Sequence, residues 1–308
     1  MALHQFMGMT IGVPVPDELD AFYQGIGLLG GAGHWGSADL PDQIQIEEAP
    51  YRQLRSMRIG CEDESDLAAL VARLEALGIE SQTRGGCVSC LDPSGTWKVI
   101  VEPVSSTSLS PQPHRPRNRP GERARQGAQA DVVVEPSPRP PRRLGHVVLG
   151  SPDPIGTAKF FLEGIGFRLS DQIAGVLSFM RCSTDHHNLL VMPGPVSYLN
   201  HYALECDDTD AIGAAASHYL LGREDRHVVG LGRHVVGSNV FWYMNDPCGT
   251  MFEFFSDMDD IPDDEAWEVR TDWGLGQFSS WGPKEPPEIF AFPADLDAIG
   301  KAQQAERG

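Results

Sequence analysis

Residues 144–170 read LGHVVLGSPDPIGTAKFFLEGIGFRLS, and residues 8–30 read GMTIGVPVPDELDAFYQGIGLLG. Each opens on a short apolar run suited to a strand, turns at prolines, continues as an amphipathic helix, and stops at "GIG" before another strand. In the first stretch Ala158, Phe161 and Leu162 carry the three-and-four spacing of a helix face, and Gly166 suits the left-handed turn that ends a helix. The same signals in the same order, once in each half of the chain, mark an internal repeat.

Working outward, the ends of the halves also match. Residues 87–103, CVSCLDPSGTWKVIVEP, and residues 240–257, VFWYMNDPCGTMFEFFSD, read as hairpins whose turns are DPSG and DPCG. Proline presets the first turn position in each. Between start and end lie MRIGCEDESDLAALVARLEALGI (57–79) and HYALECDDTDAIGAAASHYLLG (201–222), each a strand followed by a helix. The expected class is α+β, with four βαβββ modules, two per domain. The expected divisions are an N-terminal module pair over 1–103, a linker over 104–142, a C-terminal pair over 143–257 and a tail over 258–308. The linker is rich in Pro, Arg, Ser and Gln and lacks apolar periodicity, so it reads as solvated and extended. Its short DVVV run (131–134) is expected to pair as an edge strand.

A chain of 308 residues with 41% hydrophobic and 22% charged residues can bury a sizeable core. A formal charge of −19 argues against a nucleic-acid surface, which needs clustered Lys and Arg. No apolar run reaches the length of a membrane span, and the start lacks a signal-peptide pattern. The expectation is a cytoplasmic enzyme with no membrane partner. Of six cysteines only Cys87 and Cys90 form a CxxC, and no second pair completes a structural zinc set, so reduced thiols in a sheet are expected.

Three residues carry the chemistry. His146, His201 and Glu253 each sit inside a strand-like apolar run of the second half, at spacings of 55 and 52 residues. Two neutral imidazoles and one carboxylate can hold a divalent metal on one face and leave the other open, the donor set of mononuclear non-haem Fe(II) oxygen chemistry. Glu253 stands between Phe252 and Phe254, where a buried carboxylate needs a cation for company. Overlaying the halves sets Met9 opposite His146, Met57 opposite His201 and Val99 opposite Glu253. That makes the N-terminal pair a metal-free scaffold, its counterpart residues facing an unmetallated cavity. His4, His114, His218 and His227 have no such company and read as surface or loop residues.

These motifs resemble the type I extradiol dioxygenases of the vicinal oxygen chelate superfamily, strongly over residues 143–257 and as a degenerate copy over 7–103. The resemblance implies a glyoxalase-like fold, Fe(II) with Mn(II) as a substitute, and a catechol substrate cleaved with O2. It also implies that relatives commonly form homo-oligomers. By the same resemblance the strand-borne His187, followed by Asn188, Leu189, Leu190 and Val191, is the acid–base group. His186 is its rival and points to the opposite face of a regular strand. His234 and Tyr243, 19 and 10 residues before Glu253, take the places of the family's substrate-side His and Tyr. Val236 and Gly237 stand where the family frequently has Asn and Asp. The tail, with Trp267, Trp273 and Trp281, resembles the family's "WGP" segment and is expected either to cover the pocket mouth or to anchor on the surface. The competing readings are a metal-dependent isomerase or epimerase of the same superfamily, and a small-molecule-binding protein of this fold.

Overall fold

The computed structural model of the chain describes residues 3–112, 116–134 and 137–307. In the first half, β1 (Leu3–Val13), α1 (Pro16–Gly25), β2 (Leu29–Gly31), β3 (His34–Gly36) and β4 (Ile44–Glu48) make one module. A second follows as β5 (Gln53–Cys61), α2 (Glu64–Ala76), β6 (Ser81–Arg84), β7 (Cys87–Leu91) and β8 (Lys98–Pro103). After the linker elements β9 (Asn118–Arg119), β10 (Glu122–Arg123) and α3 (Asp131–Val134), the plan repeats. The third module is β11 (Arg143–Ser151), α4 (Pro154–Lys159), β12 (Arg168–Ile173), β13 (Leu177–Arg181) and β14 (Leu189–Pro193). The fourth is β15 (Tyr198–Glu205), α5 (Thr209–Leu220), β16 (His227–His234), β17 (Val240–Asn245) and β18 (Met251–Ser256). The tail adds β19 (Arg270–Trp273), β20 (Ser279–Trp281), α6 (Glu288–Ala291) and α7 (Leu296–Arg307). No helix among the described residues is long and apolar enough to cross a membrane.

Local chemistry fixes these elements. Pro16 and Pro154 occupy the first turns of α1 and α4, where a missing N–H costs nothing. Asp63 and Asp208 cap α2 and α5 by accepting backbone N–H groups of the first turn. After α4 the helix widens into a π-turn, Phe160–Ile165, and stops at Gly166 with φ 99°. In the two hairpin turns Asp92 accepts the N–H groups of Ser94, Thr96 and Trp97, and Asp246 those of Cys248 and Thr250.

Each half forms one sheet, in the orders β2-β3-β4-β1-β5-β8-β7-β6 and β19-β12-β13-β14-β11-β15-β18-β17-β16-β20. Modules join through the antiparallel pairs β1·β5 and β11·β15. The helices cover one face of each sheet, and a single buried cluster runs through both halves. It includes Met9, Met57 and Val99 from the first sheet and Val147, Tyr202, Leu204, Phe252 and Phe254 from the second. Phe22 of α1 packs edge-on against Tyr219 and Phe252, stitching the halves together.

The register corrects the overlay of the halves. In β1·β5, Gly8 pairs with Arg58 and Thr10 with Ser56, between two bulges; in β11·β15, His146 pairs with Ala203 and Val148 with His201, between two matching bulges. Arg58 in turn faces Ile100, as Ala203 faces Glu253. The counterparts of His146, His201 and Glu253 are therefore Gly8, Ser56 and Ile100, one residue away from Met9, Met57 and Val99. A slip of one residue reverses the face, and those three side chains lie in the helix-covered core, not against a cavity.

The linker also departs from expectation. Asp131–Val134 is a helical turn beside α5, not an edge strand, and Val133 and Val134 are exposed. With its valines exposed, the run packs on no sheet face, and β-branched residues gain from extension only through such packing. Arginines tie the linker region down: Arg142 pairs with Asp39 of the first half and Asp207 of the second, Arg139 with Asp207, and Arg117 with Asp208. All six cysteines are free thiols.

Candidate metal centre

His146 on β11, His201 on β15 and Glu253 on β18 project from the face of the second sheet opposite the helices. They line a cavity of about 90 Å³. Their burial is nearly complete, and one ligand atom from each lies within 4.8 Å of the others. Glu253 Oε2 is 3.0 Å from His146 Nε2 and 3.7 Å from His201 Nε2. The other carboxylate oxygen accepts from Asn239 Nδ2 at 2.9 Å.

Two hydrogen bonds settle tautomers. His201 Nδ1 meets Asn200 Oδ1 at 2.8 Å, and an amide oxygen only accepts, so His201 carries its proton on Nδ1 and turns a lone pair on Nε2 toward Glu253. That Nε2 is buried and has no hydrogen-bond partner among the described residues. Burial, followed by the proximity of His146, pushes His201 well below the usual imidazole range and keeps it neutral. His234 Nδ1 faces the Phe278 carbonyl at 3.0 Å, so its Nε2 accepts from the Tyr243 hydroxyl at 2.8 Å. Burial lowers the basicity of His234, and burial together with Glu253 raises Tyr243 well above the usual phenol range.

His187 lines the same cavity, its ring 4.4 Å from that of His146 and edge-on to Phe179. Burial pushes its basicity well below the ordinary value, and the neighbouring His146 adds to this. Neither His186 nor His187 is in a strand, since β14 begins at Leu189. The alternating-face argument therefore fails here, and the two rings touch, Nδ1 to Nδ1, at 3.1 Å. His186 does not line the cavity; its Nε2 meets Asp171 Oδ2 at 3.1 Å.

The six expected site residues thus converge on one cavity, joined by further residues to which sequence alone assigns no role. Asn200 and Asn239 orient ligands. Val148, Ile173, Leu177, Phe179 and Leu190 form an apolar wall, with Val236 beside it. From the tail come Gln277, Phe278 and Phe290. The tail reaches the cavity through these residues and not through its tryptophans. Trp281 is largely exposed, Trp273 stacks under Arg270, and Trp267 packs on His186. His4 bonds to Val104 O, His218 and His227 are exposed, and His114 lies outside the described residues.

Sequence comparisons point to one family, and the fold comparison to one architecture. The profile of the Glyoxalase/Bleomycin resistance protein/Dioxygenase superfamily matches residues 143–254. Metapyrocatechase 2 of Cupriavidus necator is 31% identical over 269 residues, covering 82% of this chain and 79% of its own. The iron-dependent extradiol dioxygenase of Rhodococcus jostii (strain RHA1) is 30% identical over 154 residues, 45% of this chain and 50% of its own. In fold, the chain superposes on the Mn(II)-bound glyoxalase of Novosphingobium aromaticivorans with a TM-score of 0.71 at 22% identity, over 94% of this chain and 97% of the other. With a relative this similar over most of both lengths, and the same four-module fold, the chain belongs to the extradiol ring-cleavage dioxygenases of the vicinal oxygen chelate superfamily.

Proposed function

We propose that this dioxygenase uses Fe(II), held by His146, His201 and Glu253, to cleave a small uncharged catechol with insertion of O2. The observation that carries the reading is the convergence of three buried ligand atoms, one of them the orphaned Nε2 of His201. A divalent ion fits them: the imidazole lone pair has no other partner, and the buried carboxylate has no Lys or Arg among the cavity residues to balance it. The donor set also accepts Mn(II).

A divalent metal held by His146, His201 and Glu253 would supply Lewis-acid and redox chemistry toward a catechol and O2. The chain supplies the rest. Asn200 and Asn239 hold two of the ligands in orientation, as outer partners of metal ligands do. His187, neutral and facing the cavity, takes a proton from a substrate hydroxyl and returns it to the product. Tyr243 and His234 form a hydrogen-bonded pair beside Glu253, positioned to hold a catechol oxygen. Phe278 and Phe290 exclude water.

The cavity also selects. At about 90 Å³ it is small for a ligand site, which favours a single-ring catechol over a larger polycyclic one. The wall is apolar and carries no Lys or Arg to meet a carboxylated side chain. The test is anaerobic Fe(II) loading followed by oxygen uptake with catechol, 3-methylcatechol, 4-methylcatechol and 3,4-dihydroxyphenylacetate. Stoichiometric uptake with a ring-opened product supports the reading. Metal-dependent turnover without O2 would favour an isomerase or epimerase, and binding without turnover a sequestering protein.

A further inference from the structure

Behind His187, on the side away from the cavity, two buried groups have no part in the chemistry so far. His186 is fully buried and Asp171 is 3% exposed. They form a chain: Asp171 Oδ2 to His186 Nε2 at 3.1 Å, then His186 Nδ1 to His187 Nδ1 at 3.1 Å. The tail closes it from outside. Trp267 lies edge-on to His186 at 5.4 Å, and the backbone N–H of Arg270 donates to Asp171 Oδ1 at 2.8 Å.

We infer that Asp171 and His186 are positioning residues that fix the tautomer of His187 so that its cavity-facing nitrogen is unprotonated and ready to accept a substrate proton. This rests on the reading of His187 as the proton-handling group. The logic is donor–acceptor parity. An ionised carboxylate only accepts, so His186 must carry its proton on Nε2. A neutral His186 then has a lone pair on Nδ1, and only a proton on His187 Nδ1 makes the 3.1 Å contact a hydrogen bond. His187 Nε2 is left with a lone pair. In the opposite tautomer His187 would present an N–H to the substrate hydroxyl and could not act as a base.

Asp171→Asn tests the chain with almost no change of shape. The Arg270 N–H faces one oxygen of Asp171, so an asparagine there turns its carbonyl to Arg270 and its NH2 to His186. His186 must then accept on Nε2, donate from Nδ1, and force His187 to accept on Nδ1 and hold its proton on Nε2. The expected result is a fall in kcat on the order of 10–100-fold, with KM for catechol and iron content within about twofold of the parent protein. His186→Phe should fall similarly. His186→Asn, whose Oδ1 can still accept from His187 Nδ1, should recover most of kcat. Adding Asp171→Asn to His186→Phe should cost nothing further, because Asp171 acts only through His186.

A kcat for Asp171→Asn equal to that of the parent protein, or equal losses from Asp171→Asn with and without His186, would overturn the inference. If a variant fails to fold, 15N NMR of histidine-labelled Zn(II)-loaded parent protein decides alone: a protonated His187 Nε2 there overturns it. Should His187→Phe itself keep full activity, the reading of His187 fails, and that outcome is distinct from the others.

Discussion

Asn200 accepts the Nδ1 proton of His201 at 2.8 Å, while its own Nδ2 donates to the backbone carbonyl of Phe290 at 2.7 Å. One amide thus orients a candidate metal ligand and anchors the segment that closes the cavity. Asn200→Ala is expected to weaken metal affinity about 10–100-fold. Titration of the metal-free protein with Fe(II) under nitrogen measures this, and an unchanged affinity would leave Asn200 a tail anchor only.

Removing a ligand has two separable effects. Glu253→Ala or His201→Ala should abolish stoichiometric iron binding, read by metal analysis after dialysis. Glu253→Gln makes a sharper point. In chelator it should be at least as heat-stable as the parent protein, because the buried carboxylate then lacks a counter-charge. With Fe(II) added, the order should reverse, since only the parent protein gains binding free energy.

Tyr243→Phe should leave iron content unchanged and lower turnover. A hydrogen bond to a charged oxygen contributes roughly 1.5–3 kcal/mol, which corresponds to about a tenfold to hundredfold loss in kcat/KM. Equal kinetics in the two proteins would reduce Tyr243 to a packing residue against Phe290.

Catechol and 3,4-dihydroxyphenylacetate differ by a carboxylated arm for which the cavity wall has no cation. A charge buried unpaired is costly, so kcat/KM for the acid should be lower by at least about tenfold. Comparable values would mean that the arm escapes past Phe278 and Phe290, and Phe290→Ala would then change nothing.

Stability should carry a signature of Asp246. Burial lifts this turn carboxyl to about 6, against the hydrogen bonds from Thr250, Tyr202 and Cys248. The unfolded group titrates near ~3.9, so the folded state holds the proton more tightly. Stability is therefore highest below about pH 4, falls as pH rises to about 6, and is level above that as far as this group is concerned. The span is worth roughly 3 kcal/mol. Asp246→Asn keeps an acceptor for the turn and should flatten that slope, measured as urea midpoints at pH 4.5 and 7.5.

How much of this was legible in the sequence depends on what each feature is made of. Repeat order, helix-ending glycines and turn residues are local, and they mark the repeat of strand-helix units in both halves. The triad was legible because its three residues are of the right chemical kind at repeating module positions. The overlay onto Met9, Met57 and Val99 is one residue out because strand pairing, with bulges at matching places in β1·β5 and β11·β15, sets the counterparts, and apolar runs alone do not show that pairing. Asn200 and Asn239 are ordinary polar residues until folding sets them against His201 and Glu253. Phe278 and Phe290 reach the cavity only through the path of the tail, which no periodicity encodes. The His186–His187 contact is not legible because faces alternate only in a regular strand, and β14 begins at Leu189.

The two short tail strands, β19 and β20, are also the outermost members of the second sheet. Without them β12 and β16 would present raw backbone donors and acceptors, the surface on which chains stick edge to edge. Their replacements are stubby and polar: Arg-Thr-Asp-Trp on one side, Ser-Ser-Trp on the other. A chain cut before Trp267 keeps His146, His201 and Glu253 but loses both guards. Its defect would first appear as precipitation, with the metal ligands still in place.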